Sequence, residues 1–138
     1  MTTHRRLLAL TALAGCLALV ASIPALAASA KAPAATTKVS VTVNKSNDFK
    51  FIVKPTSAKV GKLVFTFTNN GQLPHDFKLC SSNKGGTANS CTGKVTPLVS
   101  PGQKATLTVS VTKTGKYEYL CTVTGHAQQG MKGILTVK

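Results

Sequence analysis

The sequence predicts an all-β domain, a β-sandwich or Greek-key barrel of short antiparallel strands, and three observations carry that expectation. Apolar and polar residues alternate with a period of two over several short segments. Glycine, proline and asparagine clusters punctuate those segments. No stretch sustains the 3.6-residue apolar repeat with caps that an amphipathic helix requires.

The elements follow in order. Val39, Val41 and Val43 alternate with Ser40 and Thr42, and Leu63, Phe65 and Phe67 with Val64 and Thr66, up to a turn at Asn69-Asn70-Gly71. Gly85-Gly86 marks a loop, and Pro101-Gly102 precedes Leu107, Val109 and Val111. Thr114-Gly115 then opens Tyr117, Tyr119 and Cys121, and Leu135 and Val137 close the chain. About 100 residues of such strands suit a two-layer β architecture, without specifying which.

The start of the chain is different in kind. His4, Arg5 and Arg6 precede an uncharged run from Leu7 to Ala27, which closes on Pro24, Ala25, Leu26 and Ala27 with an A-x-A cleavage pattern. Residues 1–27 are therefore expected to be a signal peptide, making the protein exported, to a periplasm or the extracellular space. Two other readings place it at a membrane: the apolar run retained as an anchor, or a lipid on Cys16, since Leu13-Ala14-Gly15-Cys16 has the look of a lipoprotein box. Residues 28–37, small and proline-containing, read as a flexible linker, and 38–138 as the single folded domain.

Without residues 1–27 the chain carries fifteen lysines, no arginine and only Asp48, Asp76 and Glu118 as acids, a net charge of +12. The lysines are dispersed singly and aromatics are few, so a nucleic-acid module is not expected. Attraction to an acidic protein partner, or to anionic envelope polymers, is the expected use of this charge.

The chemistry concentrates near the C-terminus. A cysteine, Cys121, ends one strand, a loop follows with His126, and Met131 stands at the entry to the last strand. Such a hairpin brings a thiolate, an imidazole and a thioether to one point. Soft sulfur ligands suit Cu(I), imidazoles suit both copper oxidation states, and a trigonal His₂Cys set with a long axial Met is the blue-copper arrangement. Zinc fits less well, because a thioether is a poor zinc ligand. The second imidazole is expected from His75, in Gly71-Gln72-Leu73-Pro74-His75-Asp76-Phe77. Past residue 27 the chain has no other histidine than His75 and His126, and no other methionine than Met131. Each residue alone has a plainer reading, as a surface histidine, a packed methionine or a buried thiol.

In Cys121-x₄-His126-x₄-Met131, followed by Lys132-Gly133-x-Leu135-x-Val137 and preceded by His75, the sequence resembles the cupredoxins, the family of azurin, plastocyanin, auracyanin and rusticyanin. The resemblance covers residues 38–138, and the four residues between His126 and Met131 match the auracyanin- and rusticyanin-like members. Thr124 departs from the proline common before Gly-His in this loop, and Asp76 from a frequent asparagine. The resemblance implies a Greek-key sandwich holding one type 1 copper ion through His75, Cys121, His126 and Met131. It also implies that Asp76 and Thr122 link the His75 segment to the ligand loop behind the ligands, with the residue 76 N–H directed at the Cys121 sulfur.

Three cysteines remain past residue 27. With Cys121 on the metal, Cys80 and Cys91 are expected to pair in a disulfide across the polar segment 81–90, free or metal-binding thiols being the alternative. The expected function is a one-electron carrier, a monomer that exchanges electrons with redox proteins. The electrons would pass by the edge of His126, with Gly125, Ala127, Gly130, Leu73 and Pro74 forming an uncharged docking rim. Copper sequestration or delivery without a redox partner is the alternative. An enzyme is not expected: a second copper centre would need further histidines, and a Cys121–His126 thiol protease lacks a visible orienting residue and leaves Met131 unexplained.

Overall fold

The computed structural model describes residues 35–86 and 88–138. The expected signal segment, with Cys16, and the linker up to residue 34 lie outside the described residues. Among the described residues there are nine strands: β1 (Thr36–Asn44), β2 (Asn47–Lys54), β3 (Ser57–Ala58), β4 (Gly61–Asn70), β5 (Lys78–Cys80), β6 (Gly93–Val95), β7 (Lys104–Val111), β8 (Gly115–Leu120) and β9 (Lys132–Val137). Among the described residues there is no helix. Thr36 and Thr37, which the sequence assigns to the linker, already pair with Lys62 and Leu63.

The strands form two sheets, one in the order β2-β1-β4-β7 and one in the order β3-β9-β8-β5-β6. Their pairing is not uniformly antiparallel, as the sequence reading had it. β1 and β4 run parallel, as do β3 and β9. The reason is topological: the chain leaves the first sheet after β2, contributes β3 to the second, and returns as β4 in the direction of β1. Strand β2 adds to the strands that the sequence predicts, with Phe49, Phe51 and Val53 alternating in it. Its inward members Phe51 and Val53 are buried.

The alternation puts Val39, Val41, Val43, Leu63, Phe65 and Phe67 of the first sheet against Leu79, Tyr117, Tyr119, Leu135 and Val137 of the second, all buried in one cluster. Phe77 sits at its centre, with ring centroids 5.3 Å from Phe51, 5.1 Å from Phe65 and 5.5 Å from Tyr119. Because Phe77 follows His75 and Asp76 directly, this packing ties the His75 segment to the core.

The two outer faces differ. That of the first sheet is open and carries Lys38, Lys54, Lys62 and Lys104 among serines and threonines. On the second sheet Tyr117 to Leu120 are buried without interruption, because β8 is covered on both sides. Its outer side meets the segment closed by the Cys80–Cys91 disulfide. There the Ala88 N–H donates to Glu118, Lys132 Nζ donates to Asn89 Oδ1 at 2.7 Å, and Cys80, Leu120 and Ala127 form a second small apolar cluster. Glu118 is pushed above the ordinary carboxylate range by burial, against the pull of Lys132 and the Ala88 N–H.

Replacing Phe77 by alanine is expected to lower unfolding free energy by about 3–5 kcal/mol, the usual cost of emptying a large aromatic site. A chemical-denaturation midpoint within error of the parent would contradict the central place given to this ring.

Candidate metal centre

Two loops at one end of the sandwich build the site. The first runs from the end of β4 to β5. Asn69, fully buried, donates through Nδ2 to the Leu73 and Val99 carbonyls at 2.8 Å each and accepts the Gly71 N–H at 2.9 Å. His75 is then held by two backbone bonds with Val99, at 3.1 and 2.7 Å. The second loop joins β8 to β9. Cys121 stands just past β8 and Met131 just before β9, and the Cys121 N–H donates to the Met131 carbonyl at 3.0 Å, closing the neck. Between them the chain coils on itself: His126 N–H donates to Val123 O, and Met131 N–H returns to His126 O, both at 3.0 Å. Gly125 and Gly130 take φ of 85° and 102° there, a region that side chains disfavour.

The coil aims three donor atoms at one another. His75 Nδ1 and His126 Nδ1 lie 3.0 Å apart, and the Cys121 sulfur lies 4.0 Å from the first and 3.6 Å from the second. One point lies about 2.1 Å from all three atoms, close to the roughly 2.0–2.3 Å of nitrogen and thiolate bonds to a first-row metal ion. The donor set therefore fits one ion in a trigonal His₂Cys plane. Met131 is 0 % exposed and shares the buried cluster of Cys121. His75 is also 0 % exposed, Cys121 1 % and His126 8 %, so His126 is the ligand nearest to solvent.

The electrostatics keep the donors ready for a cation. Burial, reinforced by the adjacent His75, holds His126 below the ordinary imidazole value against the opposing charges of Asp48 and Asp76, so the ring is neutral at pH 7. Burial pushes the Cys121 thiol up to about 11, although the Asp76 and Val123 N–H groups point at the sulfur and favour the thiolate. A metal ion therefore displaces a thiol proton on binding, and the two N–H groups are in place to solvate the resulting charge.

Asp76 joins the two loops: its carboxylate accepts the Thr122 N–H at 2.6 Å and the Thr122 hydroxyl. The sequence missed two neighbours, both from β2. Asp48 accepts the Gln72 and Leu73 N–H groups at 2.9 Å each and lies 3.2 Å from His75 Nε2. Burial alone would raise its pKa, but the hydrogen bonds from Gln72, His75 and Leu73 hold it below the ordinary value. Phe49 sets its ring edge-on to His126, centroids 5.1 Å apart. A count of acids was the available signal for Asp48, which is one of three in the chain. One expected surface residue is buried: Ala127, 1 % exposed, packs on Cys80 and Leu120 instead of joining a docking rim.

A two-sheet β framework carrying a buried His₂Cys donor set and a methionine defines a small copper protein with a type 1-like site, His75, Cys121, His126 and Met131. Residues 37–138 match the model of the copper-binding proteins of the plastocyanin/azurin family, and the chain belongs to that family. Among solved structures, auracyanin A of Chloroflexus aurantiacus aligns with a TM-score of 0.56 and 21% identity over 75% of this chain and 100% of its own. Auracyanin B aligns at 0.59 and 23% over 79% and 93%. Rusticyanin of Thiobacillus ferrooxidans aligns at 0.52 and 24% over 75% and 77%. A copper-resistant cuproprotein, CopI, of Pseudomonas aeruginosa is 49% identical over 41 residues, which are 30% of this chain and 23% of that protein. The match thus spans about a quarter of that relative's length.

The Cys121 pKa gives a pH signature for the metal-free protein. An exposed cysteine ionises near 8.5, whereas Cys121 does so at about 11. Between these values the unfolded chain releases a proton that the folded one keeps, so stability falls as pH rises. The expected loss is roughly 2–3 kcal/mol, seen as the difference between the parent and Cys121→Ser in denaturation at pH 8 and 11. Parallel profiles for the two proteins would refute it.

Proposed function

We propose that the protein is an exported one-electron carrier whose copper ion, held by His75, Cys121, His126 and Met131, cycles between Cu(I) and Cu(II). The observation that supports this most is the closed site. A delivery site has to release its ion and therefore opens to partners, whereas here three of the four side chains are at most 1 % exposed and the fourth is 8 % exposed. Donors fixed by backbone ladders on both loops let two oxidation states share one geometry, which keeps rearrangement small during electron transfer. The side chains themselves bind and orient the ion, exclude water and leave the His126 edge as the exit for the electron. Residues 1–27 serve as the export signal in this reading, and no catalytic role is assigned.

The partner is a redox protein with an acidic surface. All three carboxylates are engaged within the domain, Asp48 by its loop and His75, Asp76 by Thr122, and Glu118 by Ala88 and Lys132. Apart from Lys78 and Lys132, which are half-buried, the described lysines are exposed. The segments 69–77, 96–103 and 121–131 contain no lysine, Lys45 in the β1–β2 turn being the lysine at that end of the first sheet, and Leu73 and Leu98 are exposed, 41 % and 61 %. An uncharged end beside His126 is suited to close approach. Gly125, Gly130 and Pro74 belong to it.

A second reading, copper sequestration, draws on the partial match to the copper-resistant cuproprotein. Spectroscopy separates the two. For a carrier, Cu(II)-loaded protein is expected to show an intense visible thiolate charge-transfer band, reversible one-electron reduction, and loss of the band in Cys121→Ser. A colourless protein that holds only Cu(I) would favour sequestration. Electron exchange with an acidic redox protein is expected to slow several-fold between about 10 and 150 mM salt, as the Debye length shrinks from about 30 to 8 Å. A rate independent of salt in stopped-flow measurements would remove the acidic-partner assignment.

A further inference from the structure

His75 reaches the donor cluster with one ring nitrogen and leaves the other to be accounted for. That second nitrogen, Nε2, is 3.2 Å from Asp48 Oδ1. Asp48 comes from β2, a strand that supplies no ligand and lies 27 residues upstream. An ionised carboxylate only accepts hydrogen bonds, so the contact requires the proton on Nε2 and leaves the Nδ1 lone pair facing the cluster.

Gly71 is an independent sign that this approach is built. Its φ is not left-handed, so conformation does not explain the glycine. Space does: a Cβ at position 71 would stand 1.8 Å from Asp48 Oδ1 and 3.0 Å from Asn69 Oδ1. The missing side chain is what lets the carboxylate sit against the Gln72 and Leu73 N–H groups and the His75 ring at once. The same carboxylate thereby holds both the loop and the ring.

We infer that Asp48 is a positioning residue for the metal centre, selecting the Nε2–H tautomer of His75, fixing its ring, and placing one negative charge behind it that favours Cu(II) over Cu(I). Carboxylates in this position behind a ligating histidine raise its basicity, and their loss typically costs 10–100-fold in metal affinity. The tautomer half of the inference is independent of the proposed electron-carrier function. The charge half rests on that function's copper site.

The experiment has two arms, both on the full chain. In the first, nitrogen NMR of the histidine rings in metal-free protein is expected to show His75 protonated at Nε2, and a mixture of tautomers in Asp48→Ala. A proton on Nδ1 in the parent protein overturns the assignment, and this reading needs no variant to fold. In the second, Asp48→Asn keeps an oxygen for the loop N–H groups but removes the charge. Its Cu(II) affinity is expected to fall about tenfold relative to Cu(I), raising the potential by about 59 mV for one electron. Gly71→Ala, which displaces the carboxylate without altering it, is expected to shift the potential the same way. An unchanged potential and visible band in Asp48→Asn, with an unchanged tautomer in Asp48→Ala, would reduce Asp48 to a loop cap and overturn the inference. Failure of the parent protein to form the coloured Cu(II) site would instead strike the proposed function, with the first arm still deciding the tautomer.

Discussion

Two imidazole nitrogens 3.0 Å apart beside a buried thiol form an arrangement that a chain left to itself would relax. Three metal-binding atoms are crowded there in a dry interior, where polar groups are costly unless they are paired. Much of the architecture is explained by the need to hold that convergence in place. The Cys121–Met131 rung fixes the neck of one loop, the Val99 bonds fix His75 in the other, and Asp76 ties the loops together through Thr122. Phe77 then anchors the joined segment in the aromatic core.

The division of labour between the sheets follows from the same constraint. Every sulfur and nitrogen donor comes from one of two connections, β4–β5 for His75 and β8–β9 for Cys121, His126 and Met131, so two loops carry the chemistry. Strand β2, at the edge of the first sheet, contributes no donor but sends Asp48 and Phe49 to touch both histidines. An edge strand is thus part of the site's support, and its register with β1 determines where those two side chains arrive.

The sequence made the inward-facing rows and the donor set legible for a simple reason. Period-two burial writes itself directly into Val39-Val41-Val43 and Leu63-Phe65-Phe67, and scarce residue types leave few candidates for ligands. It was less informative where burial is two-sided or partners are distant. Glu118 and Leu120 look like solvent-facing members of β8 until the disulfide-closed segment is seen over them. Ala127 reads as a surface residue for the same reason. The parallel pairing of β1 with β4 depends on the route of the chain between sheets, which no local pattern encodes. Asp48 acts across 27 residues, a separation at which spacing carries no signal.

The inward use of all three carboxylates leaves an exterior with one sign of charge, spread over strands of both sheets. Such a body attracts anions over most of its surface, and least around Leu73 and Leu98. Charge and exposed apolar side chains thus occupy different parts of the surface, lysines over the strands and Leu73 and Leu98 on the loops beside the donors. For the partner proposed above, long-range attraction and close fit would then be supplied by different residues, so that either could be altered without the other.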